Sequence, residues 1–301
     1  MPERRSNLLL WLVVGGGALL FFAISLFALA LFFYSGNASS LSFSSNAVAV
    51  IDIQGILVDS KDFVDELKDL GGSAAVRAVV LRIDSPGGGV AASQEMSAAV
   101  RKFRAQTHKK VVVSMASVAA SGGYYVACAA DRIYANPGTV TGSIGVIAEW
   151  YNYGDLLKWA RLQDVVFKSG EFKDSGSPTR ALTDAEKHYF QNLIDSMYAQ
   201  FVKDVAASRN MNEADVRKLA DGRVFTGQEA KNNGLVDELG TLQDAVAAAA
   251  KMGGIFGEPR VVTPPKKKIS ILDLLLGDAQ SLLQLNSDRS ESHIRFQYLW
   301  R

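Results

Sequence analysis

The chain is poorest in the residues from which metal sites and histidine-based triads are assembled: among 301 residues there are three histidines and one cysteine. A lone Cys128 makes no internal disulfide, and no Cys/His grouping has zinc-ligand spacing. Cys128 lies in the small apolar run of residues 126–130, which predicts a buried packing role. Charge of one sign is also lacking. With 32 Lys+Arg against 31 Asp+Glu, no global field draws the chain toward nucleic acid, and none is expected as a partner.

What is present first is apolar length. Residues 8–34 carry no charge, and about 20 apolar residues suffice to cross a bilayer as a helix. A cleavable signal peptide has an apolar core of roughly 7–15 residues, so this run reads as a retained anchor; Ala38 and Ser39 leave processing open. Arg4 and Arg5 precede it and residues 36–46 carry no charge. The positive-inside rule then predicts one N-terminal transmembrane helix with the rest of the chain on the extracytoplasmic side.

The expected organisation is residues 1–34 as cytoplasmic start and anchor, 35–46 as a Ser/Asn-rich linker, 47–262 as one domain, and 263–301 as a C-terminal tail. Within the domain, residues 47–53 (AVAVIDI), 78–83 (AVVLRI) and 111–115 (VVVSM) are strand-like, and 163–167 (QDVVF) is expected as a fourth strand. Residues 90–107 and 121–130 read as helices, so the alternation predicts an α/β fold with largely parallel strands. Residues 184–210 form the most periodic helix, with Tyr189, Phe190, Leu193, Ile194, Met197, Tyr198, Phe201 and Val202 on one face. Thr183 with Glu186 predicts a capping box at its start; Thr226 with Glu229 and Thr241 with Asp244 mark further helix starts. In the tail, residues 269–285 are apolar but too short and too charged to span a bilayer. They are expected to pack on the domain or on another subunit, with contact to the membrane surface as the lesser alternative.

Two glycine-rich loops follow strands. Asp84-Ser85-Pro86-Gly87-Gly88-Gly89 fits neither GxxxxGK[ST] nor GxGxxG, so it is either an oxyanion cradle or a tight strand-to-helix turn. The second loop, Ser117-Val118-Ala119-Ala120-Ser121-Gly122-Gly123, presents Ser121 where a strand gives way to a helix. That context suits a nucleophile and equally a simple N-cap. His108, His188 and His293 each read as surface residues, which leaves lysine as the base for such a serine. Lys168 and Lys173 both lie in VVFKSGEFKDSGS, and spacing does not choose between them.

The segments SPGGG, ASVAASGGYYVA, PGTVTGSIGVI and FKSGEFKD, in this order across residues 47–262, resemble the signal peptide peptidase A family in its short, single-domain form. The resemblance implies Ser121 as nucleophile, Lys173 rather than Lys168 as general base, and Ser143 as the hydroxyl that orients the lysine. It also implies the N–H groups of Gly88 and Gly122 as oxyanion donors. It further implies a crotonase-like (Clp-protease-like) spiral of ββα units and a ring of subunits whose catalytic pair is shared between neighbours. Cleaved signal peptides and other extended apolar peptides are the implied substrates, no cofactor or metal is needed, and the cell inner membrane with a periplasmic catalytic domain is the implied location. Two other classes fit the same loops: an acyl-CoA hydratase or thioesterase, and a non-catalytic membrane scaffold in which Ser121 only caps a helix.

Overall fold

Near-continuous apolar runs are what a parallel sheet covered on both faces requires, and three of them form its centre. The computed structural model describes residues 20–22, 24–27, 46–264 and 296–300. The chain divides into two units, Met1–Ser44 and Ser45–Arg301. In the first, the described residues are helical. Most of the expected span at 8–34 lies outside the described residues, as do residues 269–285. Among those described, no helix is long and apolar enough to cross a membrane.

The second unit begins with strand β1 (Ala47–Gln54), helix α1 (Lys61–Gly72), β2 (Val76–Ser85), β3 (Gly87–Gly89), α2 (Val90–Thr107) and β4 (Lys110–Ala120). Then come α3 (Gly122–Ala127), β5 (Arg132–Ala135), β6 (Val140–Gly142), β7 (Ile147–Ala148) and α4 (Gly154–Trp159). After a 3-10 turn at Glu171–Asp174 follow α5 (Asp184–Arg209), α6 (Glu213–Leu219), β8 (Val224–Thr226), α7 (Gly227–Asn232), β9 (Glu238–Leu239), α8 (Leu242–Met252), β10 (Arg260–Val262) and β11 (Phe296–Leu299).

The main sheet runs β10-β1-β2-β4-β5-β9, parallel throughout, with β6 added beside the far end of β4 and β8 antiparallel to β6. Ile51 pairs with Leu81 and Leu81 with Val113, so the three central strands stack their apolar residues in register. Alternate residues serve opposite faces. Val48, Val50, Ala78, Val80 and Val112 pack on Ala245, Val246, Ala249 and Ala250 of α8. Ile51, Ile53, Val79, Leu81, Val113 and Met115 join a larger core with Leu67, Phe103, Tyr124 and Phe201. Each buried Val, Leu, Ile, Phe or Met side chain among these contributes about 1.5–3 kcal/mol on leaving water.

Three helix starts follow the sequence rule. Thr183, Thr226 and Thr241 each close a capping box, with Glu186, Glu229 and Asp244. Cys128 is buried, as its neighbours predict. The expected strand at 163–167 does not form: the segment is exposed and outside every described strand. Its β-branched pair, Val165 and Val166, joins no described strand. On α5 the apolar face is only partly used; Phe190, Phe201 and Val202 are buried while Tyr189 stays exposed. A second, three-stranded sheet, β3-β11-β7, is built from segments with little strand character, and it brings the chain's last described residues against the first glycine loop.

Candidate active site

Strands β4 and β6 end together. Val118 pairs with Val140, Ala119 with Thr141 and Ala120 with Gly142. Beyond that last pair both chains turn into the left-handed half of backbone space, Ser121 at φ 51° and Ser143 at φ 50°. Residues with a side chain seldom sit there, and holding one costs on the order of 1–3 kcal/mol. The sheet supplies the restraint. Ser121 donates its N–H to the Gly142 carbonyl at 2.8 Å, and Ser143 donates to the Arg223 carbonyl at 2.8 Å. The two serines line one cavity of about 450 Å³ together with Gly145, Asp195, Tyr198 and Gly222.

Ser121 stands at the position that precedes α3, yet its side chain makes no capping hydrogen bond. Its carbonyl accepts the Tyr125 N–H at 2.8 Å, so the helix start is served by backbone alone. The cap reading therefore has no support in the geometry.

The first glycine loop is shaped by close approach. A Cβ on Gly88 would meet the Leu57 carbonyl oxygen at 2.2 Å, and one on Gly122 would meet the Ser93 hydroxyl at 2.4 Å, so neither site accepts a side chain. Leu57 donates to the Gly87 carbonyl at 2.8 Å and accepts from the Gly89 N–H at 2.7 Å. Residues alternate sides along a strand, so the Gly88 N–H points the other way, toward β11. There Tyr298 stands opposite Gly88 in antiparallel register. Two residues along, Trp300 donates to the Pro86 carbonyl at 2.8 Å. Hydrogen-bonded pairs recur every second residue in such a ladder, which gives the Gly88 N–H to the Tyr298 carbonyl. The same carbonyl oxygen lies beside Gly122: a Cβ on Gly87 would be 2.0 Å from it and 2.6 Å from the Gly122 nitrogen. One peptide carbonyl thus sits among both glycines.

Lys173 is not brought to this place. It lies exposed in the Glu171–Asp174 turn and does not line the cavity. Among the described residues no hydrogen bond joins its side chain to Ser121 or Ser143. Lys168 is committed elsewhere, donating to Asp174 at 2.7 Å and to the Glu171 carbonyl at 2.9 Å. Arg180 reaches the same Asp174 at 3.0 Å and Glu186 at 2.5 Å. Hydrogen bonds from Arg180 and then Lys168 hold the Asp174 carboxyl down to about 2. The lysine-bearing segment is thereby folded upon itself. Its apolar side chains face solvent, Phe167 at 95 %, Trp159 at 82 % and Val165 at 71 % exposure. Neither described histidine approaches the serines: His108 is the exposed residue that ends α2 at φ 56°, and His188 bonds the Asp184 carbonyl on α5. His293 lies outside the described residues.

Tyr298 is the site residue that sequence reasoning missed. It is fully buried, and the one signal was a short alternation in Phe296-Gln297-Tyr298.

The family model for Peptidase family S49 matches residues 103–255, a stretch that contains Ser121, Ser143 and Lys173. The chain belongs to peptidase family S49. It is 34 % identical over 221 residues to the Enterococcus faecium protein "Putative signal peptide peptidase SppA", covering 69 % of this chain and 64 % of that protein. "Protease 4" of Salmonella typhi is 34 % identical over 74 % of this chain and 37 % of its own length. For "Serine protease SPPA, chloroplastic" of Arabidopsis thaliana the figures are 33 %, 73 % and 31 %. The S49 chain thus spans less than two thirds of the length of these curated relatives. The solved structure of a ClpP1 mutant from Listeria monocytogenes superposes with a TM-score of 0.44 at 18 % identity, over 65 % of this chain and 94 % of that one.

Proposed function

We propose that the chain is a serine endopeptidase in which Ser121 is the nucleophile and Lys173 the general base. The observation that carries this reading is the pairing of a strained, non-capping Ser121 with a peptide carbonyl held by Gly88 and beside Gly122. Neutral lysine takes the Ser121 proton as Oγ attacks such a carbonyl, with Ser143 as the neighbouring hydroxyl that steadies the amine. The Gly88 and Gly122 N–H groups receive the oxyanion, and loss of one such donor costs on the order of 3 kcal/mol. The ammonium then protonates the leaving amine, and water frees the acyl-enzyme.

Lysine is supplied, in this reading, by a neighbouring copy of the chain in a closed ring. Lys173 stands away from the cavity on a segment whose exposed Phe167, Trp159 and Val165 lack cover, a pattern typical of protein contact surfaces. The finer reading of the α/β fold as a crotonase-like spiral rests on the parallel sheet with strand–helix repeats. Anchoring at the inner membrane, with the domain on the periplasmic side, rests on the uncharged residues 8–34 and the arginines before them. Extended apolar peptides, signal peptides among them, are the proposed substrates.

The test is mass spectrometry of the full chain after reaction with a serine-directed phosphonate. The adduct is expected on Ser121 and absent from Ser121→Ala. An adduct on another serine, or none on a protein that hydrolyses peptide, removes the assignment. Turnover of acyl-CoA without peptide hydrolysis would instead select a thioester enzyme.

A further inference from the structure

The main sheet has two ends, and the serines occupy one of them. At the other, where the parallel strands start, cations line up. Arg77 is the second residue of β2, Lys110 the first of β4 and Arg132 the first of β5, while Arg260, the first of β10, stands opposite Ala47 of β1. Register keeps them nearly level: Ala47 pairs with Val76, Ala78 with Lys110 and Val112 with Arg132. At a strand spacing of about 4.8 Å the row is about 20 Å long. Lys251, in the last turn of α8, extends it and shares a hollow of about 730 Å³ with Arg132 and Tyr134.

Carboxylates do not cancel this row. Asp131 is answered by Arg104 at 2.8 Å and Lys110 at 3.6 Å, and Glu238 by Lys231 at 2.9 Å. Asp244 is spent on the Thr241 cap. Asp69 adjoins Lys68 at the end of α1, and Glu258 stands in the loop before β10. Among the described residues Arg77, Arg132 and Lys251 form no ion pair, and all three are exposed.

Between Lys251 and Arg260 the chain turns one large apolar side chain outward. Arg77 donates from Nε to the Gly253 carbonyl at 3.4 Å, and Ile255 is buried against Val48, Val50 and their neighbours, so the loop is pinned to the sheet. Phe256, the next residue, is 95 % exposed. A bare phenyl ring beside unpaired cations matches a surface that offers both an apolar boundary and anionic groups above it. The chain also enters the domain at this end, where Arg260 donates its N–H to the Asn46 carbonyl at 3.2 Å. Residues 35–45 separate Asn46 from the uncharged run 8–34, a tether of at most about 40 Å.

We infer that the strand-start end of the sheet docks on an anionic lipid bilayer, with Arg77, Arg132 and Lys251 on the headgroups and the Phe256 ring below them at the acyl boundary. The inference rests on the membrane-anchoring reading above. The anchor supplies attachment, and the cationic row with Phe256 supplies orientation. Docking in this way places Ser121, beyond the far end of β4, about 30 Å from the headgroups.

The test uses the full chain with Phe256→Cys carrying a nitrobenzoxadiazole dye, the native thiol of Cys128 being buried. The labelled protein is reconstituted into vesicles of phosphatidylcholine alone or with added phosphatidylglycerol, and flotation is read beside dye emission. Flotation is expected with both. A blue shift, quenched by spin-labelled lipid, is expected only with phosphatidylglycerol, and high salt should abolish the shift while the chain still floats. Each cation near an anionic surface is worth about fivefold, so Arg132→Gln combined with Lys251→Gln should lower the ratio of docked to free dye about thirtyfold. Emission that stays water-like in both vesicles, a shift equal in both, or a double variant that docks like the parent overturns the inference; flotation with both then leaves anchoring intact. Flotation and a shift confined to phosphatidylglycerol vesicles would sustain docking and remove the anchor. Flotation with neither removes both.

Discussion

The two halves of the proposed catalytic pair are built on different terms. Ser121 and Ser143 leave paired strand ends, their backbone strain absorbed by the sheet and their amides tied to neighbouring carbonyls. Lys173 rides on a segment that closes on itself through Asp174 and Arg180 and turns its apolar side chains to solvent. One half is finished by the fold of a single chain. The other is left exposed by it. On the proposed pairing, catalysis would be tied to assembly, because folding alone positions Ser121 at the cavity and leaves Lys173 away from it.

The largest effects should come from the pair itself. Ser121→Ala and Lys173→Ala should each lower peptide hydrolysis by roughly four to six orders of magnitude, and the double variant should be no worse, since the two act as one unit. Lys173→Arg should be equally inactive because guanidinium stays protonated. Steady-state kinetics on the four proteins checks this, and near-full activity in any of them removes that residue from the pair. Co-folding Ser121→Ala with Lys173→Ala subunits in equal amounts sharpens the contrast. A shared site should recover about one quarter of wild-type activity by random placement in a ring. A mixed ring with none would return both residues to one chain.

Phe167→Asp tests the cover directly. A buried aromatic anchor at an interface is worth about 2 kcal/mol or more, so activity should fall about thirtyfold as the assembly weakens. The melting temperature of the isolated chain should hardly move, because exposed positions rarely matter to it. Sedimentation and activity measured together decide; unchanged assembly would show that the segment meets something else.

How much of this was legible in the sequence follows the same division. Residues 47–53, 78–83 and 111–115 announced themselves because strands covered on both faces must be apolar throughout, and the threonine capping boxes are local chemistry. Ser121, Gly88 and Gly122 were legible as a strand-end serine and glycine loops. Residues 163–167 misled because a β-branched run reads alike whether a strand or a partner surface covers it. Helix α1 went unread between the first two strands. The strand Phe296–Leu299 went unread because its pairing partners, Gly-Gly-Gly and Ile-Ala, carry no strand signal of their own.

The smallest expected effect concerns Asp174. Its carboxyl is held down to about 2 from an ordinary 3.8 by Arg180 and Lys168. A depressed folded value means the tie is complete above about pH 4 and is lost as pH falls through about 2. Carbon-detected NMR titration should find that low midpoint, and Arg180→Gln should raise it toward the ordinary value. A midpoint near 3.8 in the native chain would show that the segment is not closed by this ion pair.

The shared ending of β4 and β6 has a consequence in time as well as in space. The Ser121 amide is bonded to Gly142, the last residue of the strand alongside, and the Ser143 amide is bonded to Arg223 just before β8. Both amides are therefore expected to exchange with deuterated solvent only when these pairings open. The proposed nucleophile is thus expected to open together with the strands beside it, which ties its lifetime in position to theirs.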